Sequence, residues 1–385
     1  MLFSRFSAIR YTLFLGITSG ILLSFPLFLG ERGYPLTPIL QGLSVSEPGT
    51  VFLLLVFFAL LCISLIARKE HLAAGAVGIL IILVFLDQSR LQPWLYLYGW
   101  MLIVLASVSK DPEVKEKHAL MLFRFMIAAT YIWSGLQKLN LGFIETGFPW
   151  LVSPIVEHLP EALRMPVYSL GILAPLVEVA IGAGLLFRKT RTISVIGAVL
   201  MHLFILYLIG PFGHNTNSVV WPWNIAMILF SIILFWRMQG SAKEIVWIKT
   251  SILQKIIFLF FGVLPALSFI GLWDSYLSMA LYSSNVQRAA LSVPTTHLNQ
   301  TAYNLAPYAN PEGVERVVIS FDDWSLGEMN VPAYPQTRIY TAILKKLCTE
   351  TTYKIPFELT IFRPNGGSAS FTAIHYSCSD FRSTS

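Results

Sequence analysis

Charge is scarce in this chain. Only 12% of the residues are Asp, Glu, Lys or Arg, while 55% are hydrophobic and the mean hydropathy is +0.65. A soluble domain carries about 25% charged residues, so that class is excluded. Cysteine is also sparse, at three residues, which excludes a disulfide-dense secreted scaffold. No zinc-ligand spacing, P-loop, dinucleotide fingerprint or Gly-x-Ser-x-Gly elbow occurs. His158, His202 and His214 are too dispersed to hold a metal. Only His202 falls inside an apolar run, and a haem pair needs two such histidines.

Long apolar runs take the place of these features. Nine stretches have the length and apolarity of membrane spans, roughly 11–30, 51–67, 72–87, 94–109, 119–138, 168–187, 192–210, 221–236 and 256–280. The first follows a basic start, as a signal peptide does, but its apolar run is long and no small-residue cleavage site follows. It reads as a retained helix. With nine spans, Arg5, Arg10, Arg68, Lys69, Lys110, Lys115, Lys117, Arg188, Lys189, Arg191, Arg237, Lys243, Lys249 and Lys255 share one side. The other side has little beyond Arg32, Arg90 and Arg164. The positive-inside rule then gives a cytoplasmic N-terminus and an extracytoplasmic C-terminus. This asymmetry accounts for the net charge of +6, and no nucleic-acid partner is expected.

From Tyr282 onward the composition turns polar. Arg316–Phe321, Phe357–Phe362 and Ser370–Tyr376 read as strands, and Pro364-Asn-Gly-Gly367 supplies hairpin turn chemistry. Thr337–Leu347 has helical apolar spacing at Ile339, Ile343, Leu344 and Leu347. Cys348 and Cys378 fall in this tail and are expected to pair, whereas Cys62 reads as a small core residue. The expected fold is an all-α polytopic membrane bundle of about nine helices (1–281), bathed in lipid, with a small extracytoplasmic α/β cap (282–385). Two longer loops, Leu139–Pro166 and Gly210–Trp221, are expected to line a chamber open toward that cap.

Lys138 is the most telling residue. It closes the run Tyr131-Ile-Trp-Ser-Gly-Leu-Gln-Lys-Leu-Asn140, fourteen residues beyond Arg124. At about 1.5 Å per residue it lies roughly 21 Å along an apolar core of about 30 Å. An ammonium at that depth must snorkel, find a partner or lose its proton. Glu178 lies near the centre of the sixth run and His202 in the middle of the seventh. A plain reading makes these two a polar bridge between neighbouring helices, and makes Asp87 and Asp274 caps or loop ligands at helix ends. Trp221-Pro-Trp-Asn224 opens the eighth run as a good helix start with belt aromatics, and it would also suit stacking on a flat ring.

Four ordered patches resemble the vitamin K-dependent gamma-carboxylase family and its HTTM relatives. Leu86-Asp-Gln-Ser-Arg-Leu-Gln-Pro-Trp-Leu-Tyr-Leu-Tyr-Gly99 is similar to the family's Leu-Asp-Lys segment, which ends in Tyr-Leu-Tyr-Gly. Tyr131–Asn140 resembles its Tyr-x-x-Ala-Gly-x-Lys-Lys-Leu-Asp. Glu178 through Arg191 matches its acid, Gly, Leu-Leu and Arg spacing, with His202 at the family's distance beyond, and Trp221-Pro-Trp223 resembles its Phe-Pro-Trp. A looser likeness to DoxX-type proteins lies in the Ser-Gly-x-x-Lys-Leu helix end.

The resemblance implies that Lys138 is a catalytic base acting on a quinol, the hydroquinone form of a bound quinone, while its amine is neutral. Trp94, Trp133, Glu178, His202, Trp221, Trp223 and Asn224 are expected to form the quinone site, with Glu178 and His202 supporting it or relaying protons, and no metal is expected. Trp94 stands where the carboxylases carry a functional histidine, and the polar tail is short for gripping a protein substrate. Both departures weigh against glutamate carboxylation itself. Quinol-linked base chemistry is therefore the leading expectation. The alternative is a non-enzymatic membrane module whose cap binds an extracytoplasmic protein or peptide.

Overall fold

In a computed structural model of the protein, the described residues are 4–40, 42–43, 45–107, 112–238, 251–301, 303–311, 315–350 and 355–384. Lys110, Lys243 and Lys249, counted above for orientation, lie outside them. The chain is mostly helical. Its helices are α1 (Arg5–Leu23), α2 (Glu47–Leu65), α3 (Ala73–Leu86), α4 (Pro93–Ala106) and α5 (Pro112–Gln137). Then come α6 (Phe148–Val156), α7 (Glu161–Ser169), α8 (Leu173–Leu186), α9 (Arg191–Ile209), α10 (Val220–Phe235) and α11 (Ile252–Phe258).

Six helical segments among the described residues are long and apolar enough to cross a membrane: Arg5–Leu23, Glu47–Leu65, Glu116–Gln137, Glu161–Leu186, Arg191–Ile209 and Ile252–Ile270. Glu70–Leu86, Pro93–Ala106, Phe143–Val156 and Val220–Phe235 are apolar but shorter. Their lengths follow from local chemistry. Asp87–Gln92 forms a tight turn that ends α3, and Pro93 opens α4 at a position where its missing N–H costs nothing. Phe52, Leu55, Ile193, Leu200 and Leu203 stand exposed on helix surfaces. Such apolar faces are compatible with contact to a bilayer.

The ninth run departs from expectation. Regular α-helix stops at Phe258, passes through a π turn over Leu259–Val263, and tightens to a 3-10 helix ending at Ile270. Pro265 removes a donor within this stretch, and Gly271 at φ 73° reverses the chain. Residues 271–280 are therefore not part of a continuous helix, and Asp274 lies beyond its end. Cys62 is half-buried in α2 rather than a core residue.

After the bundle, five strands form one antiparallel sheet in the order β2-β3-β1-β4-β5. They are β1 (Arg288–Pro294), β2 (Ala309–Pro311), β3 (Arg316–Ser320), β4 (Glu358–Pro364) and β5 (Phe371–Ser377). Leu291 pairs with Ile319 on one side and Leu359 on the other, so three fully buried side chains cross the sheet. Helices α12 (Phe321–Met329) and α13 (Thr337–Glu350) add Trp324, Tyr340, Ile343 and Leu347 to the same core. The Cys348–Cys378 disulfide joins α13 to the end of β5, with Cα atoms 5.6 Å apart.

The cap is tied to one end of the bundle. Asn330 Nδ2 donates to the carbonyl of Leu23 at 2.9 Å and to Ser218 Oγ at 2.6 Å. Trp324 Nε1 donates to the carbonyl of Gly33 at 3.0 Å. Arg338 and Tyr334 both donate to Asp274. At the far end of α10, Arg5 donates to the Trp236 carbonyl at 2.7 Å and Arg191 to the Met238 carbonyl at 3.0 Å. Arginine side chains thus satisfy helix-terminal carbonyls at the end opposite the cap.

Candidate functional site

Two glycines bring α5 and α8 close enough for their buried charges to meet. A Cβ on Gly135 would lie 2.8 Å from the Pro175 carbonyl oxygen and from the Val179 nitrogen. One on Gly182 would lie 2.8 Å from the Ile132 nitrogen. Small residues at such a crossing let backbones approach, as in tightly packed membrane helices. The contact sets the rotation of α8 and turns Glu178 toward the C-terminal end of α5.

Lys138 sits at that end, just past Gln137, where the helix dipole favours a cation. Its Nζ donates to Glu178 Oε2 at 2.9 Å, to Ser134 Oγ at 2.6 Å and to the Ser134 carbonyl at 3.2 Å. All three ammonium donors are filled. The two charged side chains are 14% and 12% exposed, so the pair is nearly but not fully sealed.

A small cavity of about 60 Å³ lies beside this pair. Trp94, Tyr131, Ser134, Glu178, His202 and Trp223 are among its walls, with Met227, Met279 and Leu281 as flexible apolar sides. His202 is held in one orientation. Asn224 Nδ2 donates to the Val220 carbonyl at 2.6 Å, which turns Asn224 Oδ1 toward His202 Nδ1 at 2.7 Å. That acceptor fixes the proton on Nδ1, so Nε2 accepts from the Tyr131 hydroxyl at 2.8 Å. Ser231 Oγ, 3.0 Å from the Tyr131 oxygen, completes the chain. The plain expectation of a Glu178–His202 bridge is thus replaced by two separate pairings: Glu178 with Lys138, and His202 with Tyr131 and Asn224.

Of the eight residues singled out from sequence, Trp94, Glu178, His202 and Trp223 line the cavity. Lys138 reaches it through Glu178 and Ser134, and Asn224 through His202. Trp133 and Trp221 do not line it. Trp133 points to the opposite face of α5 and donates from Nε1 to the Phe261 carbonyl at 2.8 Å. Tyr131, Ser134 and Ser231 were missed. Tyr131, Ser134 and Lys138 follow an i, i+3, i+7 spacing, so the helical face they share was readable.

The chemistry of the cavity walls fits the flat ring of a quinone. Trp94 Nε1 is buried with no acceptor among the described residues, and a ring oxygen would satisfy it. The volume falls short of the roughly 300–1,000 Å³ of small-molecule sites, so a ring enters only if Met227 and Met279 repack. Among the described residues no group of His, Cys, Asp and Glu side chains is placed to hold a metal ion.

Asp87, expected at a helix end, is a fully buried hub. Arg32 donates to its Oδ2 at 2.5 Å, while Thr37 Oγ1 and the Thr37 and Ser89 amides donate to its Oδ1 at 2.9, 3.1 and 3.2 Å. Arg90 lies 3.9 Å away and donates to the carbonyls of Leu27, Phe28, Leu29 and Leu83. No family model, curated protein or solved structure matches this chain.

Proposed function

We propose that this protein is a carboxylase/HTTM-like membrane protein that binds a quinone or quinol beside Lys138 and supports quinol-linked base chemistry there. In that reading the bundle crosses the bilayer nine times, with the basic end cytoplasmic and the cap outside. The arginines gathered opposite the cap support this orientation. The observation that carries the functional reading is the Lys138–Glu178 pair at the edge of an aromatic-walled cavity.

The residues divide the work by position. Trp94 and Trp223 would flank the ring, and Trp94 Nε1 would donate to a ring oxygen. When bound, a quinol supplies an acidic hydroxyl and redox chemistry. The base is made by moving a proton from Lys138 Nζ to Glu178 Oε2 across their 2.9 Å bond. This converts the ion pair into a neutral acid and a neutral amine, the form a lysine base requires. Tyr131, oriented by His202 and Ser231, presents a hydroxyl at the same cavity.

The test is native mass spectrometry with lipid extraction on gently purified protein, comparing wild type with Lys138→Met and Trp94→Phe. A quinone that co-purifies with wild type and is lost from Lys138→Met supports the reading. Quinone retained equally by both variants, or absent from folded wild type even after reconstitution with added quinone, would overturn it.

A second reading follows from the saturated ammonium. With all its donors filled, Lys138 also suits a purely structural bridge in a non-enzymatic membrane module whose cap binds an outside protein or peptide. In that case Lys138→Met lowers the melting temperature in detergent without changing bound quinone, and cap substitutions abolish partner capture.

A further inference from the structure

A second and larger cavity, of about 480 Å³, lies between the cap and the helix ends that carry it. Its size falls within the range of small-molecule sites, and the quinol reading makes no use of it. Three charged residues line it: Asp322 and Asp323 from the first turn of α12, and Arg288 from the start of β1. Two carboxylates face one guanidinium, so the walls carry a net negative charge.

The guanidinium is partly diverted, since it lies 5.8 Å over the ring of Phe371. Asp322 Oδ1 accepts the Ala333 N–H at 3.1 Å, which leaves Oδ2 available. Neither Asp322 nor Asp323 forms an ion pair among the described residues. First-turn carboxylates also serve the helix dipole, so these two alone would mark no site.

Asn217 adds an independent sign. It is 4% exposed and lines the cavity, and its amide makes one side-chain contact, Nδ2 donating to the Tyr282 hydroxyl at 2.7 Å. Its Oδ1 is buried with no partner among the described residues. Whichever way the amide is turned, one of its polar atoms stays unsatisfied, and such a group costs stability unless something fills it. Apolar and aromatic surface completes the wall. Trp150 lies nearly parallel to Tyr282 with ring centres 6.0 Å apart.

We propose that this cavity binds an organic ammonium ion carried on an apolar body. Asp322 and Asp323 take the charge, Asn217 takes a polar atom of the ligand, and the aromatic rings of Trp150 and Tyr282 hold the apolar part. Two sources share that chemistry: a free small amine, and an amine-bearing lipid headgroup reaching in from the adjacent helix ends.

The test uses the full chain in a neutral detergent. Hexyltrimethylammonium is titrated by calorimetry, with hexanoate as the anion of similar body. Saturable one-to-one binding is expected, at least tenfold tighter than hexanoate and at least tenfold weaker in Asp322→Asn/Asp323→Asn. Equal binding of hexanoate, unchanged binding in the double variant, or no saturable heat from folded wild type would overturn the proposal. If the double variant melts early, the exposed Asp323→Asn and Trp150→Leu single variants give the same readout. Native mass spectrometry from mixed phosphatidylethanolamine and phosphatidylglycerol then separates the sources. Ethanolamine lipid retained by wild type and lost from the double variant identifies a headgroup site. Hexyltrimethylammonium binding without lipid retention identifies a site for free amines.

Discussion

Two of the buried ionic groups in this bundle differ in what surrounds them. Asp87 is sealed: two arginines, a hydroxyl and two backbone amides converge on it, and its side chain is fully buried. Lys138 and Glu178 form a single pair with slight exposure, and Glu178 shares a wall with open space and a tryptophan that has no acceptor among the described residues. A carboxylate that already accepts four hydrogen bonds holds backbone segments together. A pair with a free edge can exchange a proton or a partner. Both groups are intramembrane charges by sequence, and only their surroundings separate clamp from candidate chemistry.

The sharpest way to break this contrast is Asp87→Ala. Removing the hub leaves Arg32 and Arg90 buried without their counter-charge, which costs about 3–5 kcal/mol. Thermal melting in detergent should show a large loss, or no folded protein at all. A shift no bigger than that of Lys138→Met would remove the distinction.

Lys138→Met comes next. It strands the Glu178 carboxylate at a site with some access to water, and an effect of about 1–3 kcal/mol is expected. Adding Glu178→Gln removes the stranded charge, so the double variant should melt above Lys138→Met alone. Strict additivity in that cycle would mean that the pair is not coupled.

A third carboxylate lies between these extremes. Burial pushes Asp322 up to about 6 from an ordinary 3.8, and nearby Arg288 only partly offsets this. A raised carboxylate binds its proton more tightly in the folded state, so stability falls as pH rises from about 4 through 6. Asp322→Asn should therefore stabilise the chain at pH 8 and change it little at pH 4. Because the side chain is only half-buried, about 1–2 kcal/mol is the expected scale. Equal effects of Asp322→Asn at the two pH values would count against this account.

Much of the architecture was legible because it rests on local signals. Apolar runs marked the helices, Pro364–Gly367 marked the β4–β5 hairpin, and Thr337–Leu347 marked α13. The disulfide followed from two tail cysteines with no other tail partner. The central strand β1 was not legible. Arg-Ala-Ala-Leu-Ser-Val-Pro has weak strand chemistry, and it is a strand because β3 and β4 pair with both of its edges. Helix α12 was hidden by Gly327 and a low contrast between its faces. Lys138, Glu178 and His202 were visible as charges in apolar runs. Their pairings depended on helix rotation, which the Gly135 and Gly182 contacts decide and no periodicity encodes.

Leu281 belongs to the walls of both cavities. A leucine rotamer in a lined space can turn over within nanoseconds unless its neighbours jam it. That side chain is thus a shared wall, and a change of its rotamer would alter the room in both cavities at once.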